Sequence, residues 1–521
     1  MIHENSRRRP PSAASRLTAK TGFGFLATVL LLNILANVVL AADGDFDTTF
    51  NGTGTRVTDF GNTGDLGRGI FYQSDGKIVV AGQGGSALCA LRYTNTGQLD
   101  TSFDTDGIAC SSLGSVGWTG ALQSDGKVIV AGTSGTSAAL VRFNSDGTLD
   151  STFGTSGGVT TPIGGGSLRF SALLIQPDGK LILVGFHTPG GPNARDILLL
   201  RYDANGALDT TFDGDGIVRS DLTLNGTEEA YDAVLLSSGK ILVAGRKAAS
   251  SGFFDALIAR YNVDGSLDTS FDGDGYVLTD ISAPGSLSTN DNANAVTISP
   301  NGSILIAGSY TNQTTGQQSI ALVRYMSDGS LDASFDGDGM LKLGTGVGGT
   351  DVLVQADTKI IAAISTGVIK LNDNGSYDTS FGTGGSGQTA LNGSQKVALQ
   401  SDGKILTTGG VLVGATTAIT TSRLINSVSA IPPSSAPVTL GGRVTDSRGR
   451  PIAGAILKLV DARGSIRSAV TNTFGYYRFN ELDSGETYFV TISAKRYRFA
   501  NASRAVSLIE EVMNFDFIAE P

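Results

Sequence analysis

A variant of Gly-x-Leu-Asp-x-x-Phe occurs seven times between Asp45 and Leu424, alternating with seven variants of Gln-x-Asp-Gly-Lys. The first-motif aspartates, Asp47, Asp100, Asp150, Asp209, Asp268, Asp332 and Asp378, stand 53, 50, 59, 59, 64 and 46 residues apart. A unit of this size cannot bury its own apolar face, so repetition at this interval requires neighbouring units to stack. The repeat therefore constrains the fold more than any other feature of the chain.

The unit Ala230–Val277 shows what is stacked. Tyr231–Leu236 reads as a short strand, Ser237–Lys240 as a tight turn and Ile241–Ala244 as a second strand. Gly245–Phe254 reads as a loop, Ala256–Tyr261 as a third strand with period-two alternation, and Tyr276 opens a fourth. Four short strands separated by turn residues predict a propeller blade. In Ser-Asp-Gly-Lys, Asp-Gly supplies the positive φ of a hairpin turn. In Leu-Asp-x-x-Phe, the aspartate caps a single helical turn, so that Leu208 and Phe212 enter one core face. The chain enters the repeat with a spare fourth-type strand, Thr55–Phe60, and leaves it after a third-type strand, Ile419–Leu424. Pairing the two closes the ring and removes both free edges. The expected fold is all-β: a seven-bladed β-propeller followed by a small β-sandwich.

The expected divisions follow from changes of composition. Residues 1–42 carry five basic residues ahead of an apolar run and read as an export signal, cleaved near Ala41 or Ala42, with an uncleaved anchor as the alternative. Residues 43–427 form the propeller, 428–437 a Pro/Ser linker, and 438–521 the sandwich. Cleavage removes five of 38 basic and one of 48 acidic residues, moving the net charge from −10 to −14. Such a chain is a poor binder of nucleic acid, and it meets a membrane only through the N-terminal segment if that is retained. Localisation is expected to be secreted, periplasmic or at the cell surface. Cys89 and Cys110, the two cysteines, are either one cross-strand disulfide or two buried thiols.

The turns between second and third strands and between fourth and first strands differ in every unit, and they mark one face for binding. The longest, Phe186–Asp196, Ser220–Tyr231, Arg246–Phe254, Ile281–Asn294 and Ser309–Gln318, enlarge one sector of it. Trp118, Arg169, Tyr231, Phe253, Phe254 and Tyr310 are the candidate ligand-binding residues there, because aromatics and arginine dominate binding hot spots. Arg92, Arg142, Arg201, Arg260, Arg324, Arg423 and Lys370 recur on the third strand, and pairing with the repeated aspartates is their expected role. The Asp-Gly-Asp-Gly runs, such as Asp272–Gly275, read as turns; calcium there is the alternative, and no other cofactor is expected.

No catalytic residue stands out: His187 is the one histidine after residue 42, and neither a zinc motif nor a Ser/His pair is present. The expectation is an exported, non-enzymatic scaffold presenting one propeller face to a glycan or protein ligand. A hydrolytic, carbohydrate-active propeller is one alternative, with carboxylates drawn from Asp196, Glu228, Glu229, Asp232 and Asp291. A calcium-stabilised surface protein is the other. In the tail, Lys495–Phe499 is basic and aromatic, and reads either as a contact for a polyanion or as a charge-guarded strand edge.

Over residues 45–425, the Gln-Ser-Asp-Gly-Lys-Ile turns and the Gly-Ser-Leu-Asp-Thr-Ser-Phe-Asp-Gly-Asp-Gly run resemble the bacterial delta-60 repeat proteins. That likeness implies a β-propeller of exported and surface proteins and no particular chemistry. Gly442–Gly454, Thr471–Phe479 and Leu482–Tyr488 resemble the carboxypeptidase regulatory-like domain, a transthyretin-like sandwich. Arg496 departs from that pattern, standing where a glycine is common.

Overall fold

The computed structural model describes residues 41–520 except 62–63, 190–194, 223–225, 249–252, 283–289, 314, 346–347, 427–437, 461–465, 483–485, 500–501, 509–511 and 513–514. The expected export segment and linker thus lie essentially outside the described residues, as do parts of the longest loops. Apart from one three-residue 3-10 turn, Thr383–Gly385, the described chain forms strands and turns without helix.

Residues 55–424 form seven four-stranded antiparallel sheets. Blade one comprises Leu66–Tyr72, Ile78–Gly84, Ala87–Tyr93 and Ile108–Ser111, and the next five repeat the same up-and-down order. The seventh takes Ser394–Leu399, Ile405–Val413 and Thr416–Leu424 from the end of the repeat and Thr55–Thr58 from its start. Thr55 stands opposite Ser422 and Thr58 opposite Ile419. Each blade's first strand packs against the first strand of the next, and the seventh returns to the first, so these strands line a central channel. The second and third strands supply the core between blades, with Ile78, Val80, Leu91, Val128, Val130 and Val141 all fully or almost fully buried. Cys89 and Cys110, opposite each other on neighbouring strands of blade one, are joined as a disulfide.

Each repeated aspartate lies in a cage of donors. Asp150 accepts the Thr152 N–H and hydroxyl on Oδ1, at 3.0 and 2.6 Å. Its Oδ2 accepts Arg142 Nε at 2.7 Å and Lys127 Nζ at 3.0 Å. The Lys127 of the Gln-x-Asp-Gly-Lys turn and the Arg142 of the third strand thus meet on the aspartate of the other motif. Arg142 also donates to the Ala204 carbonyl in the following blade, at 2.7 Å, and stacks on Phe153 at 4.5 Å. Arg201 reaches Val263, Arg260 reaches Ser327 and Arg324 reaches Asp373 in the same way. Arg423, paired with Asp47 at 2.7 Å, reaches Asn95 of blade one and so bridges the closure. The Asp209-Thr-Thr-Phe212 segment is a turn closed by the Phe212 N–H on the Asp209 carbonyl rather than a helical turn, and it buries Phe212 completely.

Strands run further into the variable face than the sequence suggests. The second and third strands of blade four are Ile241–Ala248 and Phe254–Tyr261, where a loop was expected from Gly245 to Phe254. Lys247 there stands opposite both Glu228 and Asp255, and these cross-strand charge pairs extend a ladder that broken apolar alternation conceals.

Residues 438–520 form a separate sandwich. One sheet holds Tyr476–Leu482, Val438–Thr445 and Phe517–Ile518; the other holds Ile466–Val470, Ile456–Val460, Glu486–Ser493 and Ser503–Leu508. Leu440, Val444, Leu457, Leu459, Phe479, Val490 and Phe517 fill the space between them.

The clamps predict an acid limit to stability. Burial works to raise the Asp47 carboxyl, but bonds from Thr49 and Lys404 and the charge of Arg423 overcome it and bring the carboxyl down to about 2. A carboxyl depressed on folding contributes stability that is complete above its unfolded pKa and is lost as pH falls through the folded one. Urea unfolding should therefore show a plateau above about pH 5 and a steep loss between about pH 4 and 2. Asp150→Ala should lower stability by about 3–5 kcal/mol, since it leaves Arg142 buried without its carboxylate; a loss below about 1 kcal/mol would contradict the clamp.

Candidate functional site

Every first strand carries one residue more than its partner can pair. In blade one, Gly67 stands opposite Gly82 and Gly69 opposite Ala81, so Arg68 is skipped. The skipped residue is Trp118 in blade two, Ser171 in three, Tyr231 in four, Asn294 in five, Thr350 in six and Gln395 in seven. A bulge re-aims side chains, and all seven of these residues line one pocket of about 510 Å³ at the mouth of the channel. Six of the residues that follow them, Thr119, Asp232, Asp351 and Lys396 among them, line a second pocket of about 180 Å³.

Six of the seven bulges face a glycine on the second strand. At Gly82, Gly132, Gly185, Gly245, Gly308 and Gly409 a Cβ would come within 1.6–2.1 Å of a carbonyl oxygen of the first strand. In these six blades glycine leaves room for that carbonyl, which the bulge turns toward the neighbouring strand; blade six keeps its bulge with Ile364 at the equivalent position. This glycine, following Ala or another small or apolar residue near the end of the second strand, was legible in the sequence and its meaning was missed.

The mouth is cationic. Arg68, Arg169, Arg246 and Lys396 line it, together with Trp118, Tyr231 and a set of amides and hydroxyls, and no carboxylate is among the lining residues. Arginines and aromatic rings alternate around one side. Trp118 lies 5.6 Å from Arg68 and 5.2 Å from Arg169; Tyr231 lies 6.0 Å from Arg169 and 5.6 Å from Arg246. Glu229, buried behind the wall, receives Arg195, Arg246 and the Tyr231 hydroxyl and locks that side of the ladder. Burial and then the Arg169 charge depress the Arg68 guanidinium from its ordinary value, as expected where like charges converge. Arg68 Nε, Trp118 Nε1 and Arg246 Nε are buried and meet no acceptor among the described residues.

Beneath the mouth, Lys396 Nζ lies 3.4 Å from Asp351 Oδ1, while Asp351 Oδ2 accepts the Val397 N–H at 2.8 Å. Asp232 Oδ2 accepts the Val296 N–H at 2.9 Å. Burial raises the Asp232 carboxyl; Lys396 opposes and Asp351 adds to the rise, and the result is about 6. Lys396 is held protonated, because the two aspartates outweigh its burial.

Of the expected ligand-binding residues, Trp118, Arg169 and Tyr231 meet at this mouth. Phe253, Phe254 and Tyr310 do not line it. Phe254 opens the third strand of blade four and stacks under Arg246 at 4.1 Å, Phe253 is exposed beside it, and Tyr310 is buried in the core between blades four and five. The carboxylates expected to gather at the mouth are dispersed. Asp196 and Glu228 cluster with Asp221, and Asp291 clusters with Asp255 and Asp280, at equivalent places in successive blades. Asp291 accepts the Ile281 and Ser282 N–H groups and the Ser282 hydroxyl, a structural role. In the Asp-Gly-Asp-Gly turns, Asp215, Asp274 and Asp338 accept the N–H of Ile217, Tyr276 and Met340. Among the described residues no helix is long and apolar enough to cross a membrane.

Two family models match the chain. The domain of unknown function (DUF5122) beta-propeller matches residues 73–103, 123–153, 176–212, 236–271 and 299–335, and the carboxypeptidase regulatory-like domain matches 439–515. A comparison with curated proteins finds no match. Among solved structures, the polysaccharide lyase Uly1 is 11% identical with a TM-score of 0.43, over 69% of this chain and 90% of that one. The GH93 α-L-arabinofuranosidase of Fusarium graminearum is 10% identical with a TM-score of 0.39, over 58% and 91%. PorZ, a surface component of the type-IX secretion system of Porphyromonas gingivalis, is 13% identical with a TM-score of 0.37, over 87% and 59%. At these scores the likenesses assign no activity. They do correct the expectation that the chain is not an enzyme, because folds with this general likeness include a lyase and a glycosidase.

Gly132→Ala should lower stability by about 1–3 kcal/mol, since its Cβ would sit 1.9 Å from the Val116 carbonyl. It should also shift the emission of Trp118, the single tryptophan, because the bulge holding that ring would move. Unchanged emission would contradict the role given to this glycine. From blades to tail, the chain carries a DUF5122 β-propeller repeat region followed by a carboxypeptidase regulatory-like domain.

Proposed function

We propose that this protein is an exported, carbohydrate-active propeller that takes an acidic saccharide, one bearing carboxylates or sulfates, into the cationic mouth of its channel. The observation that carries the reading is the composition of the wall, in a chain of net charge −10: four cations, of which Arg246 and Lys396 pair with carboxylates behind it, three aromatics, Trp118, Phe170 and Tyr231, and no carboxylate in the lining itself. A chain with that balance gathers positive charge at one place against its overall field, which focuses an anion there. Trp118 and Tyr231 offer faces for sugar rings. Asn292, Asn294, Ser309 and Thr350 supply hydroxyl and amide partners on the other side.

One observation favours a reaction as well as binding. Asp232 lies below the mouth with its carboxyl raised to about 6, beside the salt-bridged Asp351. In a hydrolysis, the Asp232 carboxyl would give its proton to the glycosidic oxygen as the bond to the anomeric carbon breaks. Asp351 would take a proton from the water that attacks that carbon. The acid form of Asp232 is lost as pH rises through about 6, so cleavage should fall above that pH, and Asp232→Asn should abolish it while leaving binding within about twofold. Release of reducing ends from polygalacturonate, followed across pH 4–8, tests this second reading; a rate indifferent to Asp232→Asn would contradict it.

Binding is tested through Trp118. Polygalacturonate should change its fluorescence saturably, neutral dextran should not, and added salt should weaken the effect. Arg169→Ala should lower affinity about tenfold, equivalent to about 1.4 kcal/mol. Equal responses to both polymers, or no loss in the variant, would overturn the proposal.

A further inference from the structure

The tail carries a second gathering of cations, distinct from the mouth. Arg448, Arg450, Arg496 and Arg498 converge with Tyr497 on a concavity of about 520 Å³. Two turns build it. In the first, the Asp446 N–H bonds to the Arg450 carbonyl at 2.9 Å, and Asp446 Oδ1 accepts the Arg448 and Arg450 N–H groups, each at 2.9 Å. In the second, the Tyr497 N–H closes on the Ala494 carbonyl at 3.2 Å. Residues 519 and 520 tie the turns together, with the Ala519 N–H on the Thr445 carbonyl and the Glu520 N–H on the Arg498 carbonyl, both at 2.8 Å. The basic segment from Lys495 is therefore a turn and not the edge of a strand, which removes the reading of its charges as guards against edge pairing.

Three of the four guanidinium groups are uncompensated. Asp446 is spent on the turn and on Arg450, whose Nε it meets at 2.7 Å. Among the described residues, Arg448, Arg496 and Arg498 form no ion pair, and Glu520 is the other carboxylate lining the concavity. In the propeller the repeated arginines are, by contrast, each consumed by an aspartate. A second observation points the same way. Arg496 holds φ at +76°, in the left-handed region that disfavours every residue with a Cβ and that glycine enters freely. The turn would be better served by glycine, so the strain marks a position whose side chain is used for something other than folding.

We infer that this concavity is a second binding site for an acidic polysaccharide, so that the chain grips one polymer at two places. The inference rests on the reading of the propeller mouth as a site for acidic saccharide, and it adds the tail to that function. Guanidinium groups suit carboxylate and sulfate through paired N–H donors, and the exposed Tyr497 ring offers a face for a sugar between them. Two linked sites on one polymer raise affinity without any new contact at either site.

The test uses the intact chain on immobilised polygalacturonate, with Arg496→Gly/Arg498→Ser as the tail variant and Arg68→Ala/Arg169→Ala as the mouth variant. The tail variant should keep or slightly raise the melting temperature, because glycine relieves the strain at 496. It should weaken binding at least tenfold. Loss in the tail variant alone would support this inference while the mouth reading fails, and loss in both variants would support the two together. Wild-type affinity in the tail variant would overturn the inference, whatever the mouth variant does. So would attachment to phosphatidylglycerol vesicles with no attachment to polygalacturonate, which would make the concavity a lipid-surface site.

Discussion

The clamp of basic side chains on the repeated aspartate at the base of each blade is the constraint on which the rest of this structure depends. One carboxylate caps its own turn, receives the lysine of the blade's hairpin and holds the arginine of the third strand, as Asp150 does for Lys127 and Arg142. That arginine then crosses to a carbonyl of the next blade. Buried ion pairs add little net stability over apolar packing of the same volume, but they fail badly when one member is missing. Their value here is register: each blade is locked to the next at one angle, and Arg423 applies the same lock across the seam where the first strand completes the last sheet. Blade five, where Ser303 replaces the lysine, keeps the Arg324–Asp332 pair, and blade six, where Lys370 replaces the arginine, keeps both lysines on Asp378.

A ring locked at one face leaves the other face free to vary. The seven bulges use that freedom at fixed positions, each sending its skipped residue into the mouth and, in every blade but the fifth, the next one into the pocket below. The backbone at these positions repeats, while the side chains run from Arg68 and Trp118 to Thr350 and Gln395. The function proposed for the mouth thus does not depend on long loops. It depends on seven rigid, equivalent points whose chemistry can be set independently, Arg68 among them, and on Arg169, Arg246 and Lys396 on the strands beside them.

The architecture was legible because it is repeated. The motif spacing, the spare strand at the start and the arginine–aspartate pairing could all be argued from residues alone. The site was half legible. Trp118, Arg169 and Tyr231, picked out as aromatic or cationic residues of the variable face, line the mouth, whereas Phe253, Phe254 and Tyr310 do not; around Phe254 the opposed Lys247 and Asp255 lie on strands that read as a loop. The bulges escaped notice because an extra residue breaks the alternation by which a strand is recognised. The recurring glycine of the second strand, from Gly82 to Gly409, carries that information once its carbonyl neighbour is known. Asp232 stood among the carboxylates of the hydrolytic alternative, but its raised carboxyl could not be read, since it arises from burial and from Asp351, a residue two blades away.

The most direct test of the account is hydrogen–deuterium exchange of the intact chain with and without polygalacturonate. Bound polymer should slow exchange in the peptides holding the bulges, around Arg68, Trp118, Tyr231 and Lys396. The base turns at Asp100, Asp150 and Asp209 should be unaffected. Protection confined to those base turns, or spread evenly over both faces, would contradict a binding mouth built from the first strands.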